Sequence, residues 1–339
     1  MTTLLIANAA QALHTADGHP ENAGRMAAIE SALRRAAIDL PRREAEPAPE
    51  AAIAAVHTLA MLDLVRQASA LEAWINPDTY ALAPSYDVAR AAAGGAIAAV
   101  DAVLGGEHSS AFALVRPPGH HATRSEPMGF CLLNSVAIAA AHARRRGAQR
   151  VAIVDIDVHH GNGTQDIFYE DPAVLFCSTH GSPLYPGSGA AGETGAGAGT
   201  GTTLNLPLPP NTGDRGFDRA YDLVVCPAVR RFAPDLLLVS AGFDAHWADP
   251  IGNLGLSVAG YRSVLDRLVA LATDCCAGRI ALVLEGGYDA RALGACVVAA
   301  IAALAGAPSA DDIGPSPTPE PSIDAHLRRL ADHPLLRPA

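Results

Sequence analysis

Six short, almost continuously apolar runs recur along the chain, and each gives way to a longer alanine-rich stretch before the next begins. The runs are Leu4–Ala7, Ala111–Val115, Val151–Ile156, Val174–Ser178, Leu236–Ser240 and Ile280–Glu285. The intervening stretches predict helices over Arg25–Ala37, Ser85–Leu104, Asn134–Arg146, Phe217–Phe232, Ser257–Ala272 and Leu293–Leu304. A strand that is apolar on both faces has to be covered on both faces. Such strands, alternating with helices, predict an α/β chain with a central parallel sheet between two helix layers. Half of the 339 residues are hydrophobic and 17% are charged, enough apolar surface to fill that core and too much for a disordered chain. The expected organisation is one domain over 1–305. A Pro/Ser-rich linker follows within 306–339, with a short helix, Ile323–Asp332, packed on or near the domain.

Charge excludes some functions. The formal net charge is −11, and the basic side chains are arginine or histidine, with no lysine. An acidic chain of this kind is not expected to bind nucleic acid, which needs a basic patch. The cysteines Cys131, Cys177, Cys226, Cys275, Cys276 and Cys296 form no C-x-x-C pair, and several sit in apolar runs. They read as buried free thiols rather than a disulfide framework. No basic region followed by an apolar signal core opens the chain, and no apolar run is long enough to span a bilayer. The expectation is a soluble, cytoplasmic protein with no membrane partner.

The polar residues are the informative ones, because of where they fall. The second run leads into RPPGHH, ending at His120 and His121. The third leads into DIDVHHGNG, the fifth into AGFDAH with Asp244, and the sixth into EGGY with Tyr288. Ligands of open α/β sheets bind beyond the carboxyl ends of the strands, so these four segments should meet in one pocket. In an extended strand alternate side chains share a face, which puts Asp155, Asp157 and His159 on one side. Like charges buried together are costly unless a cation neutralises them. Asp157, His159 and Asp244 would give three N and O ligands and leave a position for water, the pattern of a catalytic zinc site. A single Asp or His at a strand end ordinarily caps a turn. Four polar clusters at four strand ends are not explained that way. His142 and His246 have no such company and read as surface or structural, and Asp166 and Asp171 as caps. Gly187–Gly201 lacks the G-K-[ST] ending of a phosphate loop and reads as a long ordered loop.

The segments RPPGHHA, MGFCLLNSVAIAA, DIDVHHGNGTQDIFY, SAGFDAH and LEGGY, in this order, resemble the histone deacetylase and acetylpolyamine amidohydrolase superfamily, in its class II-like bacterial form. The resemblance runs from about His14 to about Leu304. It implies the arginase/deacetylase fold, a three-layer α/β/α architecture with about eight parallel strands. It also implies zinc-dependent hydrolysis of an N-acyl-lysine or related acylated amine. Asp157, His159 and Asp244 would be the zinc ligands, and His120 and His121 the tandem pair. Asp155 and Asn162 would be their hydrogen-bonding partners, and Tyr288 the oxyanion donor. Gly129, Phe130 and Tyr185 would wall the acyl tunnel, with Ile251 near its rim, Gly286 and Gly287 beside the metal, and Arg25 at the inner end. One structural K+ would use Asp155, Asp157, His159, Ser178 and Thr179, and a second would use Phe168, Asp171 and Val174.

Chemistry narrows the roles. Amide hydrolysis needs an activated water, a proton carrier and support for an oxyanion. His121, paired with neutral Asn162, is expected to be the general base and acid. His120, beside Asp155, is expected to be the more basic ring and an electrostatic helper. Two carboxylates and a histidine also accept Fe2+. The two-manganese arginase arrangement fits worse, since the extra bridging aspartates are missing. Three readings stay open: a protein acyl-lysine deacylase, an acetylpolyamine or other small-amide deacetylase, and a silent metal- or acyl-binding module. Ile251 stands where some polyamine-specific relatives carry an acid, although Asp78 is another acid expected near the rim. A homo-oligomer is compatible with the sequence.

Overall fold

The structure is a computed structural model and describes residues 3–337. Its strands in chain order are β1 (Thr3–Ala7), β2 (Arg42–Glu44), β3 (Trp74–Asn76), β4 (Thr79–Tyr80), β5 (Ser110–Ala113), β6 (Val151–Asp155), β7 (Val174–Gly181), β8 (Thr203–Leu208), β9 (Leu236–Ala241) and β10 (Ile280–Leu284). Its helices are α1 (Gly24–Arg35), α2 (Glu50–Ile53), α3 (Leu59–Leu71), α4 (Ser85–Leu104), α5 (Ser135–Arg145), α6 (Asn162–Phe168), α7 (Asp214–Ala220), α8 (Cys226–Phe232), α9 (Val258–Cys275), α10 (Ala290–Ala305) and α11 (Asp324–Arg329). Eight strands form one sheet in the order β2-β1-β5-β10-β9-β6-β7-β8, and every neighbouring pair is parallel. β3 and β4 form a separate antiparallel hairpin.

Alternation along the strands builds the two layers. Leu5, Ala152, Val154, Leu237, Val239 and Leu282 face a core closed by α1, α7, α9 and α10. Leu4, Ile6, Val151, Ile153, Leu236, Leu238 and Val283 face the opposite core, closed by α4 and α5. The strands are apolar throughout because both faces are buried. Small side chains let the layers approach closely. A Cβ at Gly94 of α4 would lie 1.8 Å from the Glu46 carbonyl oxygen, so no larger residue fits there.

Two sequence expectations change. The helix expected over Phe217–Phe232 runs from Asp214 to Phe232, with a wider π-turn at Tyr221–Val225 between α7 and α8. Pro227 has no N–H and its ring would crowd the carbonyl four residues earlier, so the regular ladder cannot run through it. β6 ends at Asp155, so strand alternation does not carry on to Asp157 and His159. A turn brings them in instead: the Asp157 N–H donates to Asp155 Oδ1 at 3.1 Å, and the His159 N–H to Asp157 Oδ1 at 2.9 Å.

The segment after α10 folds back on the domain. Glu320 accepts from the amides of Gly213 and Gly216, and Ile323 and Leu330 are buried. His333 Nε2 lies 2.8 Å from the Thr203 carbonyl oxygen. No helix among the described residues is long and apolar enough to cross a membrane.

Candidate active site

The carboxyl ends of β5, β6, β9 and β10 are adjacent in the sheet, and their four polar loops do converge. Asp157, His159 and Asp244 place one ligand atom each within 4.8 Å of one another, and all three residues are buried. His159 Nδ1 stands 3.1 Å from Asp157 Oδ1 and 3.3 Å from Asp244 Oδ2. The remaining carboxylate oxygens are tied to backbone. Val158 N–H donates to Asp244 Oδ1 at 2.8 Å, and Gly286 N–H to Asp157 Oδ2 at 2.9 Å. Asp244 Oδ2 receives no hydrogen bond although it is buried. A buried carboxylate oxygen left like this is costly, and a cation is the partner that relieves it.

Electrostatics agree. Burial raises Asp244 to a pKa of about 7, and the neighbouring charge of Asp157 adds to the effect. Burial opposes a charge on His159, but the carboxylates of Asp157 and Asp244 outweigh it and raise the ring to about 10. The protein alone must therefore hold a proton among these groups, where a divalent ion would hold all three ligands deprotonated. Backbone leaves room for it. A Cβ at Gly286 would fall 2.1 Å from Asp244 Oδ2, and one at Gly242 would fall 2.0 Å from Asp157 Oδ2. The residues present fit a divalent cation.

The tandem histidines pack beside this centre with ring centroids 4.0 Å apart. His120 Nδ1 lies 2.9 Å from Asp155 Oδ2, and His121 Nδ1 lies 2.7 Å from Asn162 Oδ1. Burial disfavours a charge on His120, but Asp157 and Asp155 hold its pKa well above the ordinary value. Burial, with the charges of His120 and His159, holds His121 well below it.

Aromatic rings form the walls. The Tyr185 ring stands 5.2 Å from His121, nearly perpendicular, and Phe130 stands 5.7 Å from Tyr288. Gly129 and Phe130 both have positive φ, 57° and 68°. For Phe130 that is a strained backbone, held by hydrogen bonds from Gly129 N–H to Asp78 Oδ1 and from Phe130 N–H to Thr79 Oγ1. Gly129 admits no side chain, because a Cβ would lie 2.4 Å from the His121 ring. Asp78 Oδ1 is thus engaged in holding this wall. Ile251 lies in the β9–α9 loop that also carries Asp244, with its amide fixed by Asp249 Oδ1.

Arg25 is buried against the backbone of the EGGY segment. Its Nε donates to the Gly287 carbonyl at 2.8 Å, Nη2 to the Glu285 carbonyl and Nη1 to Glu21 at 3.2 Å. Its guanidinium carbon lies 5.0 Å from the centre of the Tyr288 ring. It therefore braces the EGGY segment from behind. Of the cation residues expected from the resemblance, Asp155 pairs with Ser178 in the β6–β7 register, and Thr179 Oγ1 lies 3.5 Å from the Asp155 carbonyl oxygen. Asp171 Oδ1 caps the Ala173 amide, just before Val174 opens β7, and Phe168 ends α6.

Sequence reasoning missed three supports. Asp249 accepts from Tyr288 N–H at 2.7 Å and Asp289 N–H at 3.2 Å, fixing the backbone that carries the tyrosine. Glu285 accepts from the Gly119 and His120 amides at 2.6 and 3.1 Å. Arg116 and Glu21 form a fully buried bidentate pair behind the site, at 2.8 and 2.6 Å. The DP and EGG contexts of the first two were the available signal. Their partners lie 39 and 166 residues away, a distance that local pattern does not bridge.

The chain belongs to the histone deacetylase family: the model of the histone deacetylase domain matches residues 19–304. It is 42% identical over 293 residues to a probable deacetylase of Archaeoglobus fulgidus, covering 85% of this chain and 82% of that one. It is 40% identical over 314 residues to the chloroplastic histone deacetylase 14 of Arabidopsis thaliana, covering 86% of this chain and 74% of that one. The crystal structure of the HDA15 HD domain superposes with a TM-score of 0.89 at 36% identity, covering 99% of this chain and 94% of that one. The sheet and its helix layers are the arginase/deacetylase fold, and the chain is a hydrolase of the deacetylase class.

Proposed function

We propose that this protein is a zinc-dependent deacylase that hydrolyses the amide of an N-acyl-lysine or a related acylated amine. The observation that carries the reading is the buried Asp157–His159–Asp244 cluster, with one carboxylate oxygen that accepts no hydrogen bond, beside the tandem histidine pair. Asp157, His159 and Asp244 would hold the zinc. Bound there, the ion supplies Lewis-acid polarisation of the amide carbonyl and acidifies water.

The chain's own groups supply the rest. His121 is kept neutral by burial and by the positive charge of His120, so its free nitrogen can take a proton from the attacking water. It then delivers that proton to the leaving amine nitrogen. Asn162 orients the ring without adding negative charge, which keeps the imidazole a moderate base. His120 stays cationic between Asp155 and Asp157 and offsets negative charge developing nearby. The Tyr288 hydroxyl donates to the carbonyl oxygen as it becomes an oxyanion, an interaction worth about 3 kcal/mol in the transition state. Phe130, Tyr185 and Gly129 line the path of the acyl chain and exclude water from it. Ser178, Thr179 and Asp155 would hold a structural K+ beneath the metal loop, and Phe168, Asp171 and Val174 a second.

Turnover of acyl-lysine peptides, acetylated polyamines and longer-chain acyl-lysines, with and without a chelator, tests this. The expected result is chelator-sensitive hydrolysis, restored by Zn2+, that is stronger on acyl-lysine than on acetylpolyamine. Hydrolysis indifferent to chelator, or none on any substrate, would refute it.

A further inference from the structure

A second group of metal-binding side chains lies beside the tandem histidines. His120, Cys131 and Glu285 bring a ring nitrogen, a thiol sulfur and a carboxylate oxygen within 4.8 Å of one another, and all three residues are buried. Glu285 is 0% exposed. Its Oε2 takes the Gly119 and His120 amides, while Oε1 has no partner at all. A buried carboxylate oxygen without a donor is rarely retained unless something occupies it. His120 Nδ1 is engaged with Asp155, so Nε2 is the nitrogen available to a ligand. The Cys131 thiol donates to the Gly129 carbonyl at 3.3 Å. Neither Cys131 nor Glu285 has a chemical part in the proposed hydrolysis.

We infer that His120 Nε2, Cys131 Sγ and Glu285 Oε1 form a second divalent-cation site, which takes a thiophilic ion such as Zn2+ and inhibits hydrolysis when filled. A nitrogen, a sulfur and an oxygen ligand suit Zn2+ or Co2+ and not Mg2+ or Ca2+, which prefer all-oxygen shells. As the ion binds, the Cys131 S–H and His120 Nε2–H bonds break, both protons pass to solvent, and sulfur–metal and nitrogen–metal bonds replace them. The two sites share no ligand. His120 Nε2 lies 3.8 Å from Asp157 Oδ2, so two ions would be close neighbours and would repel each other. The second site therefore fills only at excess metal. Inhibition rests on the reading above, in which His120 is an electrostatic helper: a coordinated Nε2 no longer faces the reacting groups.

The test is to add Co2+ stepwise to the zinc-loaded, full-length enzyme. The expected result is a thiolate-to-cobalt charge-transfer band in the near ultraviolet that saturates at one added equivalent and is absent from Cys131→Ser. Asp157, His159 and Asp244 contain no sulfur, so exchange at the first site gives no such band. In parallel, excess Zn2+ should inhibit turnover, and Cys131→Ser should raise the inhibitory concentration about tenfold or more. Glu285→Gln should weaken the cobalt titration and serves if Cys131→Ser does not fold. No band in the wild type, or a band that survives in Cys131→Ser, overturns the site. A Cys131-dependent band with no inhibition by zinc overturns the inhibitory role and the helper role of His120 together. Absence of any hydrolase activity alongside the band would instead fault the functional reading and leave the site standing.

Discussion

Gly286→Ala is the sharpest probe of the metal-ligand cradle. Gly286 carries no positive φ, so alanine adds little backbone strain there. The effect comes from space. The new Cβ would lie 2.1 Å from Asp244 Oδ2 and 2.6 Å from Asp157 Oδ2, against a practical limit of 3.0 Å. One carboxylate must retreat by about 0.9 Å and the other by about 0.4 Å, taking 3.0 Å as the closest approach. Neither has slack, because Asp244 Oδ1 is held by Val158 N–H and Asp157 Oδ2 by Gly286 N–H itself. Misplacing reacting groups by about 1 Å costs on the order of 100-fold in rate. We therefore expect kcat/KM to fall at least about 100-fold, or about 2.7 kcal/mol in the barrier. Zinc retained after dialysis, measured by elemental analysis, should fall with it. Far-ultraviolet circular dichroism should stay that of the folded sheet. Normal kcat/KM and one zinc per chain in a folded Gly286→Ala protein would refute the cradle and the ligand assignment built on it.

Three further outcomes follow from other contacts. Tyr288→Phe should lower kcat by about 100-fold with KM little changed, because the lost hydrogen bond acts on the oxyanion alone; a KM-dominated effect would contradict that role. Asp249→Ala removes the acceptor of the Tyr288, Asp289 and Ile251 amides, and should lower kcat about tenfold or more while metal content is unchanged; unaltered kinetics would show that the tyrosine is held some other way. His57 is lowered to a pKa of about 4 by burial, and its Nε2 accepts from Asn134 N–H while Nδ1 contacts the Thr123 carbonyl, which fixes the neutral ring. A depressed folded pKa gives stability that is full above about pH 6.5 and is lost as pH falls toward 4, roughly 2 kcal/mol of it by pH 5. Urea midpoints at pH 7 and pH 5 should differ more for the wild type than for His57→Gln, and equal differences would count against the assignment.

The fold was legible where burial on both faces left no polar residue to confuse the period. It was illegible where the sheet meets solvent. β2 is Arg42–Arg43–Glu44, a three-residue edge strand whose charges protect an open edge and carry no apolar signal. β8 contains Asn205 and Pro207, which break the pattern; as the opposite edge strand it tolerates a proline that a central strand would not. The wider turn at Tyr221–Val225 was not visible, because apolar spacing is blind to the missing amide of Pro227.

The site separates in the same way. Its reactive groups were legible because each sits within about eight residues of the end of an apolar strand, where a polar cluster has no other reason to recur. The reason first assigned for Asp157 and His159, a shared strand face, does not hold, since β6 stops at Asp155 and a turn of carboxylate-to-amide bonds does the aiming. What the chain could not show locally is how so much negative charge is tolerated. Asp155, Asp157, Asp244, Asp249 and Glu285 are all buried around one point. Each is held by backbone amides or by a histidine, and the partners of Asp155, Asp244, Asp249 and Glu285 include groups 35 to 166 residues away. Asp244 Oδ2 and Glu285 Oε1 alone among those carboxylates' oxygens receive no hydrogen bond, and Asp244 Oδ2 has only the His159 ring beside it, 3.3 Å away. These two oxygens belong one to each of the two ligand clusters, so the folded chain itself marks both places where positive charge is wanted.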